Sequence, residues 1–194
     1  FLTQLHSDHI DGLGPMMLLR WTGANATVPL PIYGPAGTER VVAGVNEAYA
    51  IDGGYRTAHH GPAIAPPSGR GGTAYPFALP PRGDGSPVTV LQRDGLTVTA
   101  FRVDHGPVDP AVGYRFDYKG RSIVFSGDTA PTPLLVRNAR VADLLVHEGL
   151  QPRLVGLMEQ TLRKRGQPGL AKIMSDIPGY HTTPEAAAAE AQQA

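Results

Sequence analysis

Apolar positions along the chain switch from helical to strand spacing near residue 88, and back to helical spacing beyond residue 146. Residues 13–21 read as a short helix with Pro15 in its first turn and Met16 and Met17 in its core-facing stripe. Val41, Val42, Val45 and Tyr49 recur at 3–4 spacing and predict a second helix over 38–49, with Thr38 as N-cap. Between the two, 28–34 reads as a short strand whose prolines suit an edge or a strand end. Later, 88–92 and 96–103 alternate apolar and polar residues, as do 112–118 and 121–125. Asp94-Gly95 and Lys119-Gly120 mark their turns, and Asp-Gly is a strong hairpin signal. A helix around Leu134, Leu135 and Val136 leads to a buried strand over 141–146. Residues 153–165 form an amphipathic helix ending in Arg163-Lys164-Arg165, and 169–177 a further helix. Thr183, Pro184 and Glu185 supply the N-cap, first position and first-turn acid of a last one. Residues 52–87, rich in Gly and Pro, show no period and read as an irregular flap beside the substrate.

Residues able to bind metal or move protons stand where the predicted strands stop. His6, Asp8 and His9 open the chain, His105 follows the strand over 96–103, Asp128 that over 121–125, and His147-Glu148 that over 141–146. His181 precedes the last helix start. Alternation places Gln4, His6 and Asp8 on one side of a strand, and His9 needs a turn to join them. A short His/Asp cluster alone is more simply a polar loop. Recurrence at separate strand ends argues instead for one pocket, because strand ends of an open α/β fold converge on the ligand site. Imidazole with carboxylate suits zinc, and manganese or iron(II) tolerate the same donors. In the flap, Tyr55 and Arg56 are candidates for touching substrate, whereas adjacent His59 and His60 read as solvated.

Composition narrows the classes. The 194 residues are 41% hydrophobic and 18% charged, with 24 Gly and 19 Pro, which is globular and rich in turns. Seventeen basic residues balance seventeen acidic ones, so net charge gives no case for a polyanionic partner. There is no cysteine, which excludes disulfides and thiolate metal sites. No run of apolar residues is long enough to predict a membrane span.

The run T-Q-L-H-S-D-H-I-D-G at 3–12 resembles the T-H-x-H-x-D-H signature of the metallo-β-lactamase superfamily, in particular its ribonuclease Z and arylsulfatase-like branch. The likeness continues in order through V-D-H-G at 103–106, S-G-D-T at 126–129, D-L-L-V-H-E at 143–148 and H-T-T-P-E-A-A at 181–187. It implies an α/β fold, the αββα four-layer sandwich, as a single domain over 1–194 that is incomplete at both termini. It also implies two cations: the first held by His6, His105 and Asp128 with Gln4 in a histidine's place, the second by Asp8, His9, Asp128 and a histidine expected beyond Ala194. Asp8, His181 and Glu148 take the catalytic roles, and His147 a structural one. An amide is a weaker zinc donor than imidazole, so Gln4 implies a weakened first site.

The activity implied is hydrolysis of phosphodiester or related ester bonds by a metal-activated water. The apolar, Pro-rich flap and the absence of a basic arm favour a small aryl or alkyl ester over RNA. The alternatives are a ribonuclease Z-type endonuclease at the 3′ end of transfer RNA, and a pseudo-hydrolase impaired by Gln4. Homodimers are common among such relatives.

Overall fold

The computed structural model describes residues 1–194, and its contacts gather into two compact units, Phe1–Ala78 and Leu79–Ala194, within the span read as a single domain.

In the first unit, α1 (Ser7–Ile10) and α2 (Leu13–Gly23) precede β1 (Leu30–Pro35); α3 (Thr38–Ala48) and α4 (Ala50–His60) follow, and β2 (Gly72–Phe77) closes it. β1 and β2 pair in parallel from Leu30 opposite Gly72 to Pro35 opposite Phe77. Parallel neighbours need a crossover, which α3 and α4 supply. The Asn46 amide fixes the start of that pairing by bonding both the N–H and the C=O of Gly72, each at 2.9 Å. Leu2, Leu13, Met17, Ile32 and Val42 form the core.

Three expectations change here. Residues 52–87 are not an irregular flap throughout, since α4 runs to His60 and β2 begins at Gly72. Gly53-Gly54 obscured the helical period. Gly53 is buried, and a Cβ there would collide with the Arg70 side chain, so close approach accounts for the glycine. Met17 is buried but Met16 is exposed, because consecutive helix positions point about 100° apart. Gly37, at φ +102°, occupies the N-cap of α3, and the Thr38 hydroxyl instead donates back to the Pro35 carbonyl at 2.7 Å.

The second unit is a five-stranded sheet in sequence order: β3 (Val88–Arg93), β4 (Leu96–Arg102), β5 (Val112–Tyr118), β6 (Arg121–Phe125) and β7 (Leu144–Val146). The first four pair antiparallel and β7 joins β6 in parallel. Both hairpin turns have two residues at positive φ, Asp94-Gly95 and Lys119-Gly120, the geometry that matches strand twist. α5 (Pro133–Ala139) is the crossover to β7; α6 (Pro152–Lys164), α7 (Pro168–Asp176) and α8 (Pro184–Gln193) follow. Phe101, Val103, Ala111, Val124, Leu135 and Ala139 pack as the core. The Thr183 side chain caps α8 by accepting from the Ala186 N–H at 3.2 Å. No helix is long and apolar enough to cross a membrane.

β7 starts at Leu144, not at residue 141, because Val141 turns at φ +51° and Asp143 is engaged beside the strand. The Asp143 carboxylate accepts from Arg121 and, at 2.7 Å, from the Ser122 N–H. The Arg121 hydrogen bond, then that from Ser122, holds its carboxyl below the usual carboxylate range. A lowered folded-state pKa stabilises the fold above the unfolded pKa and ceases to do so as pH falls through the folded value. Asp143→Ala therefore lowers the melting temperature at about pH 7, and the gap to the parent closes as pH falls below the usual carboxylate range. Thermal unfolding of both proteins across this range checks it; a gap independent of pH is the contrary result.

Candidate metal centre

In the second unit the site grows from the loop that leaves β6. Ser126 is tied to β7 by its N–H to the Val146 carbonyl at 3.0 Å, and its Oγ accepts from the Glu148 N–H at 2.9 Å. Gly127 then turns at φ +64°, a conformation suited to glycine. Thr129, fully buried, collects the neighbouring loops. Its N–H donates to Glu148 Oε1 at 2.7 Å, its Oγ1 accepts from the Asp104 N–H at 3.1 Å, and its carbonyl accepts from Thr182 Oγ1 at 2.6 Å.

That frame brings together three sequence-predicted residues. His105 is 2% exposed; its Nδ1 lies 3.0 Å from the Tyr180 carbonyl and its Nε2 3.9 Å from Asp128 Oδ2. A carbonyl can only accept, so Nδ1 carries the proton and Nε2 keeps its lone pair toward Asp128. His181 Nδ1 lies 3.0 and 3.1 Å from the two oxygens of Glu148, so there too Nδ1 is the donor and Nε2 is left for other chemistry. Donor atoms of His105, Asp128 and His181 all lie within 4.8 Å of one another. Imidazole nitrogens beside a carboxylate, each ring oriented by a hydrogen bond at its far nitrogen, are what a zinc-type cation requires. The residues present fit such an ion.

His147 takes no part in this cluster. Its Nδ1 meets the Glu148 carbonyl at 2.8 Å and its Nε2 meets Glu190 Oε2 at 3.0 Å, and Glu190 Oε1 accepts from the Thr132 N–H at 2.7 Å. This is the structural role expected of His147. Its partner Glu190 was not foreseen; the only sequence signal is a carboxylate set among alanines in α8.

The first unit holds the opening motif. No regular strand spans residues 1–5, and α1 starts at Ser7 with His6 as N-cap, so the turn falls between His6 and Asp8 rather than after Asp8. His6 and Asp8 are exposed. His9 is partly buried, with Nε2 3.5 Å from Asp8 Oδ2. Its ring is also gripped: Nδ1 lies 3.1 Å from Thr3 Oγ1, and Nε2 lies 3.1 Å from Nε2 of the fully buried Gln4. Tyr55 is exposed on α4, where the Arg56 guanidinium pairs with Asp52 at 2.8 Å, one turn away. His59 and His60, in the last turn of α4, are exposed as read.

An α/β chain with this His/Asp/Glu set has the residues of the metallo-β-lactamase class of hydrolases. The Beta-lactamase superfamily domain matches residues 1–193, and the chain belongs to that family. It is 38% identical over 195 residues to ribonuclease Z of Mycobacterium avium, covering 100% of this chain and 62% of that protein. Against ribonuclease Z of Mycolicibacterium paratuberculosis the identity is 37%, with the same shares covered. The chain thus spans 62% of the length of these relatives. The crystal structure of human tRNase Z, short form, superposes with a TM-score of 0.65 at 20% identity, covering 100% of this chain and 67% of that one, which shows the shared fold.

The His147–Glu190 contact is nearly buried, and removing one partner strands the other. Glu190→Ala is expected to lower the unfolding free energy by about 3 kcal/mol. Tyr55→Ala, at an exposed position, changes it by less than about 0.5 kcal/mol. Denaturant titration of both variants measures the difference.

Proposed function

We propose that this chain carries the hydrolytic centre of a ribonuclease Z-type enzyme, a metal-dependent phosphodiesterase whose substrate is RNA, at the 3′ end of transfer RNA. The observation that carries the reading is the Glu148–His181 pair, held beside His105 and Asp128 on one hydrogen-bonded frame. A ligand set and a positioned proton donor together specify cleavage of a bond to a poor leaving group, more than metal storage or transport.

His6, Asp8, His9, His105 and Asp128 are the residues proposed to hold one or two cations, with zinc the first choice and manganese or iron(II) suited to the same donors. Once bound, such an ion lowers the pKa of a coordinated water and polarises the phosphoryl oxygen. The chain's own groups manage the protons. Asp8, exposed at the start of α1, takes the proton of the attacking water. Glu148 fixes the His181 tautomer with hydrogen on Nδ1, so that a protonated Nε2 gives its proton to the departing ribose oxygen as the P–O bond breaks.

RNA is preferred to a small ester for two reasons. The relatives at 37–38% identity carry the name ribonuclease Z, and the solved fold relative is named for tRNA. Of the features that suggested a small substrate, the apolar flap is in large part α4 and β2. The zero net charge is a sum over a chain that spans 62% of those relatives' length.

A tRNA precursor is expected to be cut by the full chain with zinc and left intact in EDTA. His181→Ala is expected to lose about 10²–10⁴-fold in kcat on this substrate. On bis(p-nitrophenyl) phosphate the loss is under about tenfold, because p-nitrophenoxide leaves without a proton. Turnover of the small diester with no cleavage of RNA returns the small-ester reading. Equal losses on both substrates remove His181 from the acid role.

A further inference from the structure

We infer that Tyr180 is a positioning residue for two working histidines at once: its backbone carbonyl and its ring together hold the His105 imidazole, and the same ring packs on His181. The inference rests on the roles proposed above for those histidines, and every group in it belongs to the unit Leu79–Ala194.

One hydrogen bond fixes one end of an imidazole and leaves the ring free to tilt about that end. His105 Nδ1 is held by the Tyr180 carbonyl at 3.0 Å, and His181 Nδ1 by the Glu148 oxygens at 3.0 and 3.1 Å. In both rings the atom with chemistry to do is Nε2, on the far side, where a tilt is felt most. Packing supplies the missing restraint. The Tyr180 ring meets His105 edge-on, with centroids 5.2 Å apart and planes at 86°. It lies 5.1 Å from the His181 ring at 48°. The two imidazoles are themselves 5.2 Å apart at 69°. Aromatic rings attract one another at such separations, and edge-to-face is a favoured arrangement. Each of the three rings packs on the other two, so none tilts alone.

Tyr180 is itself held from both sides. Its N–H donates to the Ile177 carbonyl at 3.3 Å, across the single turn Ile177–Gly179. Two residues on, the fully buried Thr182 donates from Oγ1 to the Thr129 carbonyl at 2.6 Å and accepts from the Leu150 N–H at 2.8 Å. A fixed ring between two imidazoles links their separate tasks. His105 must aim a lone pair at a cation, and His181 must aim a proton at a leaving group. Groups that orient metal ligands from behind are worth about 10–100-fold in affinity or activity. Removing the Tyr180 ring therefore costs metal affinity through His105 and proton delivery through His181. The phenol hydroxyl has no part in this.

Tyr180→Phe keeps the ring, whereas Tyr180→Leu keeps the carbonyl and an apolar side chain without the ring. In the full chain, zinc affinity by calorimetric titration is expected to fall about tenfold in Tyr180→Leu and to be retained in Tyr180→Phe. On a tRNA precursor kcat is expected to fall about 10²-fold in Tyr180→Leu, against about tenfold on bis(p-nitrophenyl) phosphate, whose leaving group needs no proton from His181. Proton NMR of the parent is expected to show nuclear Overhauser contacts from the Tyr180 ring to both imidazoles, a readout that depends on no variant's folding. A Tyr180→Phe protein that loses as much as Tyr180→Leu assigns the work to the hydroxyl and overturns the inference. So do a Tyr180→Leu protein that folds by circular dichroism and binds zinc as the parent does, equal losses on the two substrates, or a parent without those ring contacts. A parent that binds zinc but leaves RNA whole removes the proposed function, and zinc affinity and the ring contacts then decide the role of Tyr180.

Discussion

The carboxylate of Glu148 is the contact on which the second unit's site depends. It accepts from the Thr129 N–H at 2.7 Å and from His181 Nδ1 at 3.0 Å, while its own N–H is held by Ser126. One side chain thereby fixes the exit of β7, the loop after β6 and the approach to α8. Hydrogen bonds to an ionised group are about twice as strong as neutral ones, which suits a carboxylate to this task. Thr129 extends the frame to the fourth loop through the Asp104 N–H, and His105 is the next residue along. None of His105, Asp128 and His181 lies on a regular strand or helix, yet the loop of each is referred to the same two residues.

His147 and Glu148 show how a two-residue period divides labour beyond the end of a strand. β7 ends at Val146, but the alternation of side chains continues for two more positions. His147 is spent on Glu190 of α8, and through it on the start of α5, while Glu148 turns to His181. Adjacent titratable residues therefore serve different ends, one packing helices and the other orienting the His181 ring. Two acceptors face the His147 ring, so the contact needs a proton on Nε2 or on Glu190.

What could be read from the sequence followed the range of the forces involved. The hairpins at Asp94-Gly95 and Lys119-Gly120 are local, set by residues that accept positive φ, and their strands came out within a residue or two of their observed bounds. The α8 start was equally local, since Thr183 and Pro184 determine it between them. The gathering of His105, Asp128 and His181 was legible because strand ends are where loops can meet. Glu190 was not, because its partners lie 43 and 58 positions away and nothing nearby marks it. α4 was hidden by Gly53 and Gly54, residues that weaken a helix on propensity and are accounted for here by the close passage of Arg70. Thr129, the centre of the second-unit frame, reads in sequence only as the last letter of S-G-D-T.

Gln4 marks where residue type and environment diverge. Substituting an amide for an imidazole at a surface position would cost a metal site some affinity and little else. At a fully buried position the amide brings polar atoms that must be satisfied, since leaving such a group unbonded costs about 1–3 kcal/mol. The nearby His9 ring can answer as donor or acceptor, and the chain brings it within 3.1 Å by turning into α1 directly after His6. Burial therefore gives the substitution a consequence that ligand counting misses. The amide brings a hydrogen-bonding demand of its own, which the His9 ring meets at 3.1 Å.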